Sequence, residues 1–488
     1  MSPVDVAPPA SLLGSAAAAE WRYLAEGGAH VVLEHQGANP AFARRVLRLR
    51  KASRGETVAP RSAAGASHDA DDVQARVGVT DAQLWAGHPG LDGLETMTAE
   101  ERTRAFVKAV LRPVLSDALT DPGEVVRVDA EFLTAVANAI APSRPPARVA
   151  VADVDLDARR ATLLRNRNLL DDDDDDDDDD DEPTRAVEIK PKCGYVHHLN
   201  PHGVSRFRMH QALKVARGEV SRASGYDPLD LFAVADADAD ANAEMKSARA
   251  RRALRALAAD PQNNLRAWVS SRRRGARRVE VIHDSAAAAG KSSRHVTGTS
   301  EDASIDLDAD SNSDSVDVAE IILAALVRSR VLARVLAAQR LDVVGVERAA
   351  VLARGWASTE GDERETATRA LRDFVVAAVA KDCSVMLAFR RIRRRGRRRD
   401  RDDGVFEVEV PTRGDGDGDG DGDGDGDGSA RFACRVGVVD LDMKSIRKLP
   451  RWLALDREIS AHWVASNAGR DAGGDAGVRR EETVVGGG

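Results

Sequence analysis

The sequence predicts an α+β fold of more than one lobe, and three observations carry that reading. Trp21 to Leu24, Val31 to Glu34 and Val46 to Arg50 are short apolar runs bounded by turn residues, the pattern of strands. Thr98 to Leu111, Asp129 to Ile140 and Val318 to Leu341 repeat apolar residues at helical spacing, as Leu133, Val136, Ala137 and Ile140 do. At 488 residues, 43% of them hydrophobic, the chain is long enough for two or three lobes with substantial cores.

The formal net charge of −9 conceals the character of the folded part. Setting aside the eleven carboxylates of Asp171 to Asp181 and the seven of the Gly414 to Gly428 repeat leaves about +9 on the rest. Cys193, Cys383 and Cys434 form no pair at zinc or disulfide-framework spacing, which points to a reducing compartment. The N-terminus lacks a basic n-region and nowhere do 18 apolar residues run together, so a soluble, unexported protein without a membrane partner is expected.

Residues 1–18 read as a disordered arm, followed by a lobe over 19–165. Its strand, glycine turn (Ala25 to Ala29, with Gly27 and Gly28) and strand lead to a third strand bearing Arg48. Small residues let a backbone approach phosphates and a following cation neutralises them, although an ordinary two-glycine hairpin has the same pattern. Ser53 to Arg76 reads as an insertion. Helices at Asp81 to Gly87, Thr98 to Leu111 and Asp129 to Ile140 are expected beside the hairpin. Pro142, Pro145 and Pro146 then place Arg144 and Arg148 in a connection, as solvated loop residues or as the lining of a cleft. Val149 to Val154 and Ala161 to Leu164 read as strands, the second a hinge between lobes. Eleven adjacent carboxylates repel one another, so 166–187 is an acidic insertion and linker.

A second lobe is expected over 188–465. It opens on Glu188 to Lys214, where Lys190, Lys192, Arg206, Arg208 and Lys214 alternate with Ile189, Tyr195, Val196, Phe207, Met209 and Leu213. Five cations cannot share a core, and the apolar residues say that the run is folded. The charges should therefore converge on a solvent cleft or an anion. Tyr226 to Phe232 is a turn into an apolar anchor, Ala243 to Ala258 a helix, and Pro261 to Arg266 offers Asn263, Asn264 and Arg266 for hydroxyls and phosphate oxygens, or else is an Asn-rich cap. Insertions are expected near 233–242, 272–317 and 391–428. Val318 to Leu341 is a core helix and Thr368 to Ala378 another. Asp382 precedes an apolar strand-like run, where a carboxylate can accept a proton from a hydroxyl or simply cap a turn. Nine arginines between Arg390 and Arg401 permit nucleic-acid binding or nuclear residence, but without interleaved aromatics they read as a charged insertion. The Gly-Asp repeat reads as a flexible linker, and 466–488 as a disordered tail. Arg435 to Lys444 is a buried strand ending in Asp440, Asp442 and Lys444, and a carboxylate pair there suits magnesium. Lys444, Lys448 and Trp452 share one face if a helix runs through Pro450.

AEGGAH, VLRLRK, EIKPKCG, SRFRMHQALK, YDPLDLF, PQNNLR, AKDCSVM and VDLDMKSIRKLP occur in an order that resembles the inositol-pentakisphosphate 2-kinases almost end to end, EIKPKCG and PQNNLR being the most specific. The resemblance implies a two-lobed kinase-like fold with an inositol-phosphate-binding subregion in the C-terminal lobe. It also implies transfer of the γ-phosphoryl group of ATP to the 2-hydroxyl of inositol 1,3,4,5,6-pentakisphosphate with Mg2+. It makes Asp382 the base and Lys190 the stabiliser of the transferring group, Asp440 a metal ligand and Asp442 a second candidate. Lys192, Arg206, Lys214, Asn263, Lys444, Lys448 and Trp452 would hold substrate. Gly27, Gly28, Ala29, Arg48, Arg144, Leu163, Asn264 and Arg266 would lie on the nucleotide side or between the ligands. Trp452 stands where the family usually has Tyr, and His30 replaces its Asn. Plant members carry a structural zinc built from two His and two Cys; without a cysteine pair between Lys214 and Asp382, no such site is expected. The remaining expectations are a monomer in cytosol and nucleus, no nucleic-acid partner, and, as the alternative to a kinase, a scaffold that holds inositol polyphosphates.

Overall fold

The computed structural model describes residues 12–54, 77–170, 182–236, 242–273, 276–284, 316–392, 404–412 and 429–467. The poly-Asp run, the Gly-Asp repeat, the tail beyond 467 and most of the insertions at 53–76, 272–317 and 391–428 lie outside them.

Two sheets organise the described chain, which is mixed α and β. The first contains β1 (Leu12–Leu13), β2 (Trp21–Glu26), β3 (His30–His35), β4 (Arg45–Ser53), β5 (Glu124–Val128), β6 (Ala152–Val154) and β7 (Arg160–Arg165). Its order is β1-β5-β7-β4-β3-β2, with β6 on the end of β4, antiparallel except for the β1–β5 pair. The second contains β8 (Thr184–Ile189), β9 (Leu265–Arg273), β10 (Ala276–Asp284), β11 (Ser384–Arg391), β12 (Val405–Pro411) and β13 (Ser429–Val439), ordered β10-β9-β8-β11-β13-β12 and antiparallel throughout.

Trp21, Leu33, Leu47, Leu163 and Phe132 build one core between the first sheet and the helix Ala130–Ile140. A larger core collects the helices around the second sheet. A third apolar group joins the sheets, with Leu24 and Val46 from the first meeting Trp268, Met386 and Ala433 from the second.

Several expectations are corrected. Residues 12–18 are not a free arm: β1 pairs with β5, and Leu13 and Ala18 are buried. The helices Asp81–Trp85 and Ala99–Phe106 do not pack beside the hairpin. Their Leu84, Trp85 and Phe106 enter the larger core, because the apolar face of the hairpin is already covered by Ala130–Ile140. The stretch from Val149 begins in a helical turn, Pro146–Val149, before β6. The insertion expected from residue 272 does not open as a loop: β9 runs to Arg273 and pairs with β10 (Ala276–Asp284). The long apolar stripe from Val318 is two helices, Val318–Ser329 and Val331–Gln339, broken at Arg330, whose backbone is left-handed (φ 55°). A helix at Gly345–Gly355 was not anticipated.

Candidate active site

Antiparallel pairing brings four strand ends of the second sheet to one edge. Ile189, the last residue of β8, pairs with Val385 and Leu265; Ser384, the first of β11, pairs with Val439, the last of β13. Residues just outside these ends must therefore be neighbours: Lys190 and Lys192 after β8, Asn263 and Asn264 before β9, Asp382 before β11, Asp440 and Asp442 after β13. More than 240 residues of separation between Lys190 and Asp440 disappear in this way.

The charges interlock there. Lys444 Nζ donates to Asp382 Oδ2 at 2.6 Å, and Lys192 Nζ lies 3.8 Å from Asp382 Oδ1. Lys190 Nζ donates to Asp440 Oδ2 at 3.1 Å, which Ser384 Oγ also meets at 3.4 Å, and Arg48 Nη2 lies 3.7 Å from Asp440 Oδ1. Burial on its own would raise the Asp382 carboxyl, but Lys444 and Lys192 outweigh it and hold it below its ordinary value. Asp440 is likewise lowered, burial being overcome by Lys190 and Arg48. Burial pushes Lys192 down to about 8 despite Asp382, and Lys190, Lys214 and Lys444 add repulsion. Lys192 (φ 61°) and Asp440 (φ 59°) both have left-handed backbones without being glycine, a conformation that clusters where side chains must be aimed.

A cavity of about 680 Å³ opens from this edge. The helix Arg206–Ala216 lines it with Arg206, His210 and Lys214, which fall at i, i+4 and i+8 on one face. Arg208 points away, 61% exposed, toward Asp227. Arg206 Nε donates to Asp456 Oδ1 at 2.6 Å from the opposite wall, the helix Leu449–Asn467. Trp452 lines the cavity with its ring 6.0 Å from that of Phe374. Burial first, then Lys214 and Arg206, push His210 down to about 4. Asn263 and Asn264 are on the lining as well. Asn264 is 1% exposed, yet neither its Oδ1 nor its Nδ2 has a hydrogen-bond partner. A buried amide left unpaired on both atoms costs on the order of 1–3 kcal/mol, so this position calls for a polar ligand.

Two substrate-side expectations change. The helix starts at Leu449, and Pro450 sits in its first turn, where a missing N–H costs nothing. Lys444, Lys448 and Trp452 therefore do not share a helical face. Lys444 reaches the cavity from the preceding loop, whereas Lys448 is exposed in a 3-10 turn and does not line it.

On the first sheet, Gly27, Gly28 and Ala29 form the β2–β3 turn, and a Cβ on either glycine would meet nothing within 4 Å, so the turn leaves room for an approaching group. Arg48 is bidentate to Asp442, at 2.6 Å for each bond. That leaves Asp440 the freer carboxylate for a cation, with Asp442 engaged as the partner of Arg48. Among the described residues no three His, Cys, Asp or Glu gather at a metal-binding distance. Arg266 Nη2 donates to the Glu26 carbonyl at 3.2 Å, tying the turn to the second sheet. His30 lies 3.9 Å from Asp442, and burial followed by Arg48 repulsion lowers it to about 4.

Arg144 and Leu163 lie away from the cavity. Arg144 does not line the cavity: it is 5% exposed and donates to Glu26, Asp153 and the Ala152 carbonyl. Leu163 is fully buried within the first core, and Leu164, one residue on, faces the second sheet. Adjacent residues of a strand face opposite sides. Glu26, Lys51, His210 and Asp456 were missed by sequence reasoning. His210 was legible from its i+4 spacing to Arg206 and Lys214; the others depend on pairings remote in sequence.

Comparison with known proteins identifies relatives over most of the chain. An inositol-pentakisphosphate 2-kinase from Arabidopsis thaliana is 27% identical over 398 residues, 76% of this chain and 81% of its own. One from Oryza sativa subsp. japonica is 27% identical over 487 residues, 94% and 96% of the two chains, and one from Danio rerio is 32% identical over 191 residues, 36% of each. No described helix is long and apolar enough to cross a membrane. The inositol-pentakisphosphate 2-kinase family matches residues 23–458, nearly the whole described chain from β2 to the last helix, and the protein belongs to that family of transferases.

Proposed function

We propose that the protein transfers the γ-phosphoryl group of ATP to the axial 2-hydroxyl of inositol 1,3,4,5,6-pentakisphosphate, giving inositol hexakisphosphate, in a two-lobed kinase-like fold. The observation that carries this is the edge of the second sheet, where Asp382 sits between Lys192 and Lys444 while Asp440, Lys190 and Arg48 form a second charge group beside it. One group suits an acceptor hydroxyl flanked by phosphates and the other a nucleotide's phosphate chain.

Five phosphates bring a charge of about −8 to −10, so a cavity walled by Lys192, Arg206, Lys214 and Lys444 is suited to capture and alignment. Arriving phosphates compete with Asp382 for Lys444 and Lys192. Loss of those partners raises the carboxylate's proton affinity and frees it to accept the 2-hydroxyl proton. Phosphoryl transfer asks little more of a base, because positioning and neutralisation dominate. Lys190 would follow charge from Asp440 to the transferring group. Asn264 and Arg266 lie between the two ligands, and Arg48 steers the nucleotide side. Magnesium, held by Asp440 together with phosphate oxygens, would neutralise charge on the nucleotide; the carboxylate donors and the open space over Gly27 and Gly28 fit that pair. Arg144 and Lys51 act at one remove, by fixing Glu26 and hence the glycine turn.

The test is incubation with magnesium-ATP and inositol 1,3,4,5,6-pentakisphosphate, with products resolved by anion-exchange chromatography, beside Asp382→Ala. Hexakisphosphate from wild type and almost none from the variant is expected. Binding without turnover in wild type would replace the kinase with a scaffold for inositol polyphosphates.

A further inference from the structure

Gln339 is the last residue of the helix Val331–Gln339 and is 0% exposed, an amide in the middle of an apolar core. Its hydrogen bonds account for it. Oε1 accepts the Gly194 N–H at 2.8 Å, while Nε2 donates to the Lys192 carbonyl at 2.7 Å and to the Ala380 carbonyl at 3.1 Å. Two strand ends that carry the site's chemistry thus meet on one side chain: the loop after β8, which holds Lys192, and the turn before β11, where Ala380 is two residues from Asp382.

The loop needs such a partner. Lys192 has a left-handed backbone (φ 61°), a conformation that persists only where the surroundings determine it. Gly194 is pressed against the Phe232 ring, so closely that an added Cβ would lie 2.3 Å from it. Neighbouring contacts hold the helix end itself: Tyr195 Oη donates to the Gln339 carbonyl at 3.1 Å, and Lys381 Nζ donates to Asp342 Oδ2 at 2.7 Å. An apolar side chain of the same volume would fill the space but leave the Lys192 carbonyl and the Gly194 N–H unpaired, and the Ala380 carbonyl with only the weak Cys383 Sγ–H donor at 3.3 Å.

We propose that Gln339 is a positioning residue that sets the separation of Lys192 from Asp382, an inference that rests on reading this edge as the phosphoryl-transfer site. It touches neither ligand; it holds the backbone from which both side chains project.

The test uses the full chain with Gln339→Leu and Gln339→Glu. Native-state amide exchange needs no substrate. In the Leu variant, exchange is expected to quicken about tenfold or more in peptides covering 190–195 and 380–383 and to stay unchanged in 45–53. With magnesium-ATP and the pentakisphosphate, kcat should fall about 30-fold or more while KM for ATP stays within about twofold, as for an interaction that counts in the transition state rather than in nucleotide binding. The Glu variant guards against a Leu variant that does not fold. Ionised, it accepts from Gly194 but cannot donate; protonated, it regains one donor. Its turnover relative to wild type should therefore recover in part as pH falls from about 8 to about 6. A kcat within about twofold of wild type in both variants, or exchange rising equally in every peptide, would overturn the proposal. If wild type shows no turnover, the kinase reading falls, and local loosening together with weaker pentakisphosphate binding by calorimetry would still uphold the clamp.

Discussion

Two groups of cations in this molecule differ in how fully their charges are matched and how far they are open to solvent. Around Glu26, the side chains of Lys51 and Arg144 are 3% and 2% exposed, and Glu26 accepts from both while Asp153 takes a further Arg144 bond. Burial would raise the Glu26 carboxyl, but Arg144 and Lys51 hold it below its ordinary value. At the cavity, Lys190, Lys192 and Lys444 are each about a quarter exposed and share Asp382 and Asp440 between them. A saturated group stabilises a turn and has nothing to offer a ligand. A group with more cations than carboxylates, partly open to solvent, keeps binding capacity in reserve.

That contrast can be broken from either side. Asp382→Asn should lower turnover by about 10²–10⁴-fold, the range for loss of a general base, while pentakisphosphate binding measured by calorimetry stays equal or tightens because Lys192 and Lys444 lose their counter-ion. Weaker binding would mean that Asp382 organises the lysines rather than competing for them. Glu26→Gln should act on the fold instead. Removing one partner of a buried ion pair costs about 3–5 kcal/mol, which urea unfolding would register, and an unchanged midpoint would refute the saturated reading.

Smaller changes sharpen it. Lys444→Ala removes one charge-assisted contact of about 1.5–3 kcal/mol, so KM for the pentakisphosphate should rise about 10- to 150-fold with the unfolding midpoint unmoved. The subtlest effect is a proton. Burial pushes Lys192 down to about 8, so the free protein loses that proton as pH rises through this value. A bound polyphosphate favours the charged form and raises the pKa again. Binding near pH 8.5 should therefore take up a fraction of a proton, seen as a buffer-dependent heat, and Lys192→Arg should abolish it because a guanidinium stays charged. Equal uptake in the variant would assign the proton elsewhere.

His30 gives the same logic in stability. Its folded pKa of about 4 lies below that of the unfolded side chain, so the unfolded chain binds the proton first and stability falls as pH drops from about 6.5 toward 4.

The sequence by itself determined the chemical parts. Asp382, Asp440 and Lys444 stand beside apolar runs that read as strands, so each was legible as a charge at a strand end; Lys190 and Lys192 were legible only as cations on a folded run, because the start of β8 (Thr184–Ile189) fell in the stretch read as an acidic linker. The helix Ala130–Ile140 followed from its apolar period and Ala243–Ala259 from its Ala/Arg composition. Tertiary structure decided which ends meet and which cations remain available. Antiparallel register in the second sheet placed Asp382 against Lys444, 62 residues apart, and the packing of the two sheets placed Arg48 against Asp442, 394 residues apart. It also withdrew Arg144 into the Glu26 group and turned Leu163 into the core where Leu164 faces the second sheet. Local propensity reaches three or four residues along the chain, whereas pairing across a sheet and competition among charges are settled only by where remote segments pack.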